Sequence, residues 1–252
     1  VLKPASATPM TALAIARLFE EAGLPAGWLN VVPCPGSVAD HLVTHPHIAM
    51  VTFTGSPEVG WGIRARAPQK RVSLELGNNA PVIVCADADL ALAATKIVAG
   101  GYGFSGQTCI SVQRVYADRS IRAELEGLVA NAAAALPVGS PAEPDVSVSA
   151  LITRGETERV HRWIHDAVDG GANLLTGGEH SDDGVLMPTV LSSVTDEMQV
   201  FRDEVFGPVV GIAEFETIQE AYKRANDSRY GLQAAVFTHD INTAIDAGYA
   251  LD

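Results

Sequence analysis

The 252 residues exceed one average domain and suit one large α/β domain or two smaller ones packed together. With 47% hydrophobic and 19% charged residues, the composition is that of a globular chain and excludes disordered, collagenous and disulfide-knot classes. Thirty acidic against 17 basic residues give a net charge of −13, which repels nucleic acid and anionic lipid, and no apolar run reaches the roughly 18 residues of a spanning helix.

Thr8-Pro9 followed by Met10, Leu13, Ala16 and Phe19 predicts a capped amphipathic helix ended by Gly23 and Pro25. Trp28 to Val32 is a short apolar, β-branched run that reads as a strand, Val38 to Val43 as a short helix and Ile48 to Phe53 as another strand. A helix over Glu58 to Arg66, strands over Arg71 to Leu76 and Pro81 to Cys85, and a long helix from Asp89 continue the alternation. Such alternation implies parallel strands with helices on both faces. Beyond Ala117 the pattern is less regular: helices near Arg122 to Leu136 and Arg154 to Asp169 flank a Pro/Ser-rich surface connector at Pro137 to Ser149. The segment Leu76 to Pro81 joins two strands without room for a crossover helix, which predicts a chain leaving one sheet for another and a domain boundary there. The expected division is 1–77 and 78–252.

Three cysteines (Cys34, Cys85 and Cys109) contain no C-x-x-C pair and leave one unpaired under any bridging scheme, which points to a reducing compartment, by default the cytoplasm. The chain opens at Val1 with no initiator Met, basic n-region or apolar h-region, so its native N-terminus is expected to lie elsewhere. Seven histidines are scattered, and His41, His45 and His47 lie close together, but no H-E-x-x-H spacing is seen, so no metal site is expected.

Three places carry potential chemistry. Gly55 and Ser56 stand at a strand-to-helix turn, where free backbone N–H groups and the positive end of a helix dipole suit an anion; spacing alone favours the plainer reading, a Gly-marked turn that merely starts a helix. Cys109 has small, polar neighbours (Gly106-Gln107-Thr108 before, Ile110-Ser111 after), which leave its sulfur approachable, whereas Cys34 between prolines and Cys85 at a strand end read as inert. Glu75 interrupts the apolar end of a strand; it is either a solvent-facing position or a general base whose partial burial raises its pKa.

Taken together these segments resemble the aldehyde dehydrogenase superfamily, in order and over the whole chain. Val1-Leu2-Lys3-Pro4-Ala5 resembles its cofactor-binding lysine segment, Phe53-Thr54-Gly55-Ser56 its pyrophosphate turn, Leu74-Glu75-Leu76-Gly77 its general-base motif and Gly106-Gln107-Thr108-Cys109 its nucleophile motif. Glu204-Val205-Phe206-Gly207-Pro208 is similar to the segment that holds the nicotinamide ribose, and Tyr230-Gly231-Leu232 with Val236-Phe237-Thr238 to the core strand that follows. The resemblance implies an α/β fold: a partial Rossmann-like, dinucleotide-binding domain (1–77), then a second α/β catalytic domain (78–252) whose C-terminal part is missing. The chain would then be the middle half of the usual family length. Lacking upstream would be the first cofactor-domain strands and an oxyanion-hole Asn, and downstream a substrate-anchor loop and a strand that joins a partner subunit's sheet.

The resemblance also implies a mechanism. Cys109 attacks an aldehyde to give a thiohemiacetal, its backbone N–H helps hold the oxyanion, hydride leaves for NAD or NADP, and Glu75 activates water to hydrolyse the resulting thioester to a carboxylic acid. Lys3 and Glu204 would hold the two ribose hydroxyl pairs, Ser56 the pyrophosphate, and Phe206 would pack near the nicotinamide, with Ser6, Gly36, Gly55 and Leu76 also lining the cofactor site. Ser6 stands where strongly NAD-selective relatives often carry Glu; without a carboxylate to repel a 2′-phosphate, use of either cofactor is expected. The implied partners are a small aldehyde and, in the full-length form, one or three further copies of the chain. Asn78-Asn79 and Phe104 depart from the family pattern, which often has Gly-Lys after Gly77 and Asn at 104. Two readings from other classes stand beside this one: a catalytically silent truncated homologue acting by association, and a cofactor-free cysteine esterase.

Overall fold

The computed structural model describes residues 1–181 and 183–252, and the chain divides into two compact units, Val1–Leu76 and Gly77–Asp252. In the first unit, two parallel strands, β1 (Met50–Thr54) and β2 (Arg71–Glu75), pair in register from Met50 opposite Arg71 to Thr54 opposite Glu75. Helices α1 (Met10–Glu21), α2 (Gly36–Thr44) and α3 (Pro57–Arg66) accompany them. A small core of Val43, Ile63 and Ala67, backed by Val51, Phe53 and Val72, ties α2 and α3 to the strands. Helix α1 fully buries none of its residues, and Ala12, Leu13 and Ala16 are half-buried.

Two expectations for this unit change. Pro9 is itself the N-cap of α1 and no side chain caps that end, so Thr8 does not cap the helix. The run Trp28–Val32 is not a strand: it forms one isolated parallel bridge, Leu2 with Val31, because Pro33 and Pro35 follow at once and lack the N–H groups a ladder needs.

The second unit is a six-stranded sheet, ordered β5-β6-β7-β4-β3-β8. Its strands are β3 (Ala80–Val84), β4 (Val112–Asp118), β5 (Asn173–Thr176), β6 (Thr189–Ser192), β7 (Val209–Phe215) and β8 (Ala235–Phe237). Neighbours run parallel except β5, an antiparallel edge strand. Residues 76–79 therefore carry the chain from β2 in one sheet to β3 in the other.

Side-chain alternation along these strands feeds two cores, one on each face. Val82 and Val84 of β3, Val115 of β4 and Val210 of β7 pack with Ala93, Ile97, Leu125 and Val129 of α4 (Leu90–Tyr102) and α5 (Arg122–Ala134). Ile83, Tyr116 and Val209 point the other way. They pack with Val160 and Ile164 of α6 (Arg154–Asp169), Phe201 of α7 (Gln199–Arg202), Ala221 of α8 (Ile218–Asn226) and Ala247 of α9 (Ile241–Ala250). Each fully buried Ile, Leu or Val here contributes about 1.5–3 kcal/mol relative to exposure, which makes this doubly covered sheet the rigid platform for the loops at its edge. Pro81 sits in a central strand because the β3–β4 register shifts between Ala80 and Pro81, and β8 pairs only with Val82–Val84. Among the described residues, no helix is long and apolar enough to cross a membrane.

Candidate active site

In the first unit, Gly55 follows β1 and its N–H donates to the Glu75 carbonyl (3.1 Å). A Cβ at 55 would meet the edge of the Phe53 ring, which would have to shift to admit it. Ser56 caps α3, its Oγ accepting from Val59 N at 3.4 Å, and Pro57 takes the first helical position. Leu76 lies over Gly60 of α3, where the helix offers no Cβ. Gly36 is the exposed first residue of α2. Lys3 Nζ donates to Ser6 Oγ (3.5 Å), and Ser6 Oγ donates to the Cys34 carbonyl (3.3 Å). Glu75 ends β2 with its side chain exposed, so the partial burial expected of a base is not seen in this unit.

The second unit brings three sequence-distant motifs together. Asn78 N donates to Glu204 Oε1 at 2.8 Å, while the Glu204 carboxylate fills the space that a Cβ on Gly77 would take. The buried Asn79 amide donates to the carbonyls of Phe201 (2.8 Å) and Arg202 (2.9 Å), just ahead of Glu204. Its own carbonyl accepts from Arg114 Nε (3.1 Å), a buried guanidinium whose other donors reach Tyr116 Oη and the carbonyls of Arg224 and Ala225. The Asn79 side chain thus tethers the segment just before Glu204 to the start of β3, while Asn78 contributes through its backbone N–H. The Asn78 Nδ2 atom itself is buried without a hydrogen-bond partner.

Cys109 lies in the turn before β4, with Ser111 N donating to the Thr108 carbonyl (3.1 Å), and is half-buried. The approach to it is left-handed: Phe104, Ser105 and Gly106 have φ of 52°, 59° and 71°. Such a run is costly for residues with a Cβ and persists only where surroundings over-determine it. Ser105 supplies the lock, its buried Oγ donating to the Ser149 carbonyl (3.1 Å) and accepting from Ser149 N (2.9 Å), and Gln107 Oε1 accepts from Ile152 N (2.8 Å). The connector after Pro137, read from sequence as surface loop, is exposed at its centre, but its end is part of this scaffold, with Val148 fully buried. A Cβ on Gly106 would run into the backbone of Gly207, so the Cys109 loop and the Glu204–Pro208 segment touch backbone to backbone. Phe206, at φ 50°, is exposed beside them.

All three cysteines are free. Burial, followed by the charge of Asp87, pushes the Cys85 thiol up to about 11, which keeps it protonated at neutral pH. No sequence signal marked Ser105, Ser149, Asn79 or Arg114 as parts of this scaffold, because each acts through a backbone partner far along the chain. A further grouping also escaped the sequence reading: His161, His165 and Glu179 converge, although no metal-ligand spacing was expected. The helical pair His161-x-x-x-His165 was the available signal.

The aldehyde dehydrogenase family model matches residues 1–252, and the chain belongs to the aldehyde dehydrogenase family. It is 43% identical over 253 residues to 3-sulfolactaldehyde dehydrogenase of Priestia aryabhattai, covering all of this chain and 53% of that protein. Among solved structures it is similar to Mycobacterium tuberculosis aldehyde dehydrogenase complexed with NAD+, with a TM-score of 0.94, 38% identity, and 99% and 53% of the two chains covered. It is likewise similar to an NADP-dependent enzyme of E. coli (TM-score 0.96, 35% identity, 99% and 53% covered). The chain spans about half the length of the relatives it matches.

Proposed function

We propose that the protein carrying this chain oxidises an aldehyde to a carboxylic acid with NAD or NADP, using Cys109 as nucleophile and Glu75 as general base. The observation that carries this reading is the packing of the Cys109 loop, through Gly106, against Gly207, three residues after the Glu204 that Asn78 holds. The donor set suits a dinucleotide: the Lys3 ammonium with the Ser6 hydroxyl, the Ser56-capped start of α3 and the Gly55 turn, and the oriented Glu204 carboxylate. Lys3 and Glu204 would hold ribose hydroxyls, Ser56 and Gly55 the pyrophosphate, Ser6, Gly36 and Leu76 the remaining wall, and Phe206 the nicotinamide face. When bound, the nicotinamide supplies a hydride acceptor.

The Cys109 thiolate attacks the carbonyl carbon while the Cys109 backbone N–H donates to the developing oxyanion. Loss of hydride leaves a thioester on Cys109. Glu75 takes a proton from water as that water attacks the thioester carbon, and the acid departs as the thiolate re-forms. The exposed Glu75 side chain suits a base that must reach water. In this reading residues 1–77 supply most of the cofactor contacts and the base Glu75, residues 78–252 supply the nucleophile Cys109 together with Glu204 and Phe206 for the cofactor, and the full-length protein is a cytoplasmic homodimer or homotetramer acting on a small aldehyde.

The test uses the full-length protein with an aldehyde and either cofactor, following reduced nicotinamide alongside ester hydrolysis. Turnover is expected to vanish in Cys109→Ala, and Glu75→Gln is expected to release about one equivalent of reduced cofactor per chain and then stall. Reduction that persists in Cys109→Ala overturns the assignment. Hydrolysis without cofactor supports the esterase, and neither activity supports the silent homologue. For cofactor choice, the neighbours of both kinds and the Ser6 hydroxyl support dual use. Ser6→Glu is expected to depress kcat/KM for NADP at least tenfold more than for NAD, as a rough figure for like charges in contact.

A further inference from the structure

We propose that His161, His165 and Glu179 form a binding site for a divalent transition-metal ion of the zinc class, on the second unit and separate from the residues assigned to chemistry. His161 and His165 stand four apart on α6 and so share one face of the helix. Thr157, Val160, Ile164 and Ala167, on the neighbouring stripe of the helix, are buried in the core and set its rotation.

Glu179 is fixed independently. Gly177 and Gly178, at φ 75° and 90°, turn the chain after β5, and a side chain at Gly177 would strike the Pro188 carbonyl. Gly178 N then donates to Thr189 Oγ1 (2.9 Å), and Met187 N donates to the Glu179 carbonyl (2.9 Å). Two rigid elements therefore aim three ligand atoms at one point.

The geometry of those atoms is that of a coordination face. His165 Nε2 lies 3.0 Å from His161 Nε2, His161 Nε2 lies 3.2 Å from Glu179 Oε2, and His165 Nε2 lies 3.6 Å from Glu179 Oε1. A tetrahedral ion with bonds of about 2.05 Å separates its ligands by about 3.3 Å, close to the His165–His161 and His161–Glu179 Oε2 separations, while the other Glu179 oxygen is the one nearer His165. Both imidazoles present Nε2, which offers a lone pair to an ion in the Nδ1–H tautomer. Two nitrogens and one carboxylate oxygen are a donor set for Zn, Co, Ni or Cu rather than for Ca or Mg. His165 and Glu179 are exposed enough for an ion to enter and for water to take the fourth position. The His180 ring, 5.3 Å from that of His161, borders the site, with Nδ1 paired to the Ser181 carbonyl. The net charge of −13 raises the local concentration of cations.

The probe is Co²⁺, titrated into full-length protein with its thiols alkylated, followed by visible absorption and by calorimetry, with Zn²⁺ as competitor. One saturable ion per chain is expected, with the intense visible bands of four-coordinate cobalt and displacement by Zn²⁺. His161→Ala and His165→Ala are each expected to weaken binding at least about tenfold, while His41→Ala on α2 leaves it unchanged. Zn²⁺ is expected to raise Tm in the unsubstituted protein and not in the His161→Ala/His165→Ala double variant, whose circular dichroism matches the parent. Absence of saturable binding, which would make the pair a proton-bridged histidine contact, overturns the proposal. So does binding of equal strength in that double variant.

Discussion

The Glu204 carboxylate occupies the volume that a side chain at Gly77 would need, and its Oε1 accepts from the next amide, Asn78 N. Gly77→Ala must therefore push that carboxylate aside. Because the displaced atoms are the end of a flexible side chain, the stability cost is expected to stay within about 1 kcal/mol. The loss falls on cofactor binding instead: KM for the nicotinamide cofactor is expected to rise with Tm nearly unchanged. Equal KM values for Gly77→Ala and its parent would separate Glu204 from the cofactor.

Phe104 holds a left-handed backbone (φ 52°) that costs an L-residue about 1–2 kcal/mol, and Asn tolerates this region better than Phe. Its ring is 83% exposed in this chain. Phe104→Asn is expected to stabilise the protein by about 1 kcal/mol through relief of that strain. Denaturant melts of the two proteins check the sign; a lower midpoint for Asn would mean the ring is held by contacts beyond the backbone.

Cys85 has its thiol raised to about 11 by burial and by the Asp87 charge. Below that value the reactive thiolate grows tenfold per pH unit, so its alkylation by iodoacetamide is expected to accelerate roughly a hundredfold between about pH 8 and 10. Mass mapping of the modified peptides measures this directly. A flat Cys85 profile across that range would contradict the burial argument.

Asp87 staples β8 to β3. Its carboxylate accepts from the Thr238 hydroxyl (3.0 Å), His239 N (2.9 Å) and Asp240 N (3.1 Å). Desolvation works to raise its pKa, but the hydrogen bonds, that from His239 first, outweigh it and leave the group below its ordinary value of 3.8. A depressed folded-state pKa means stability that is present above the unfolded value and lost as pH falls through the folded one. Asp87→Asn is thus expected to lower Tm at pH 7, and the gap to the parent is expected to narrow once pH drops below about 3.8. Thermal melts of both proteins at the two pH values test it.

Local pattern was enough for much of this molecule. The alternation of apolar runs with capped periodic segments reads off α2, β1, α3, β2, β3 and α4 to within a few residues, because each is bounded by Gly, Pro or a capping Asp or Ser within its own neighbourhood. Helix α6 is legible to its ends, since Thr153 caps it and its apolar stripe is strong. Strands β5 to β7 and helix α8 were not legible. β7 is buried on both faces, which removes the period-two signal, and β5 and β6 are only four residues long. The strand expected at Trp28–Val32 failed because apolar, β-branched composition does not supply a pairing partner.

The site divides in the same way. Thiol, carboxylate and turn chemistry by themselves marked Cys109, Glu75, Gly55 and Ser56 as candidates, whereas Lys3 and Glu204 came only from the family resemblance of their segments. Only the folded chain decided that Ser105 locks a left-handed turn onto Ser149, that Asn79 and Arg114 tether the segment before Glu204, and that His161 and His165 meet Glu179. Those are contacts between backbones and side chains brought close by sheet order and helix rotation. Neither is encoded in any window of neighbouring residues, because both follow from which faces the whole sheet must bury.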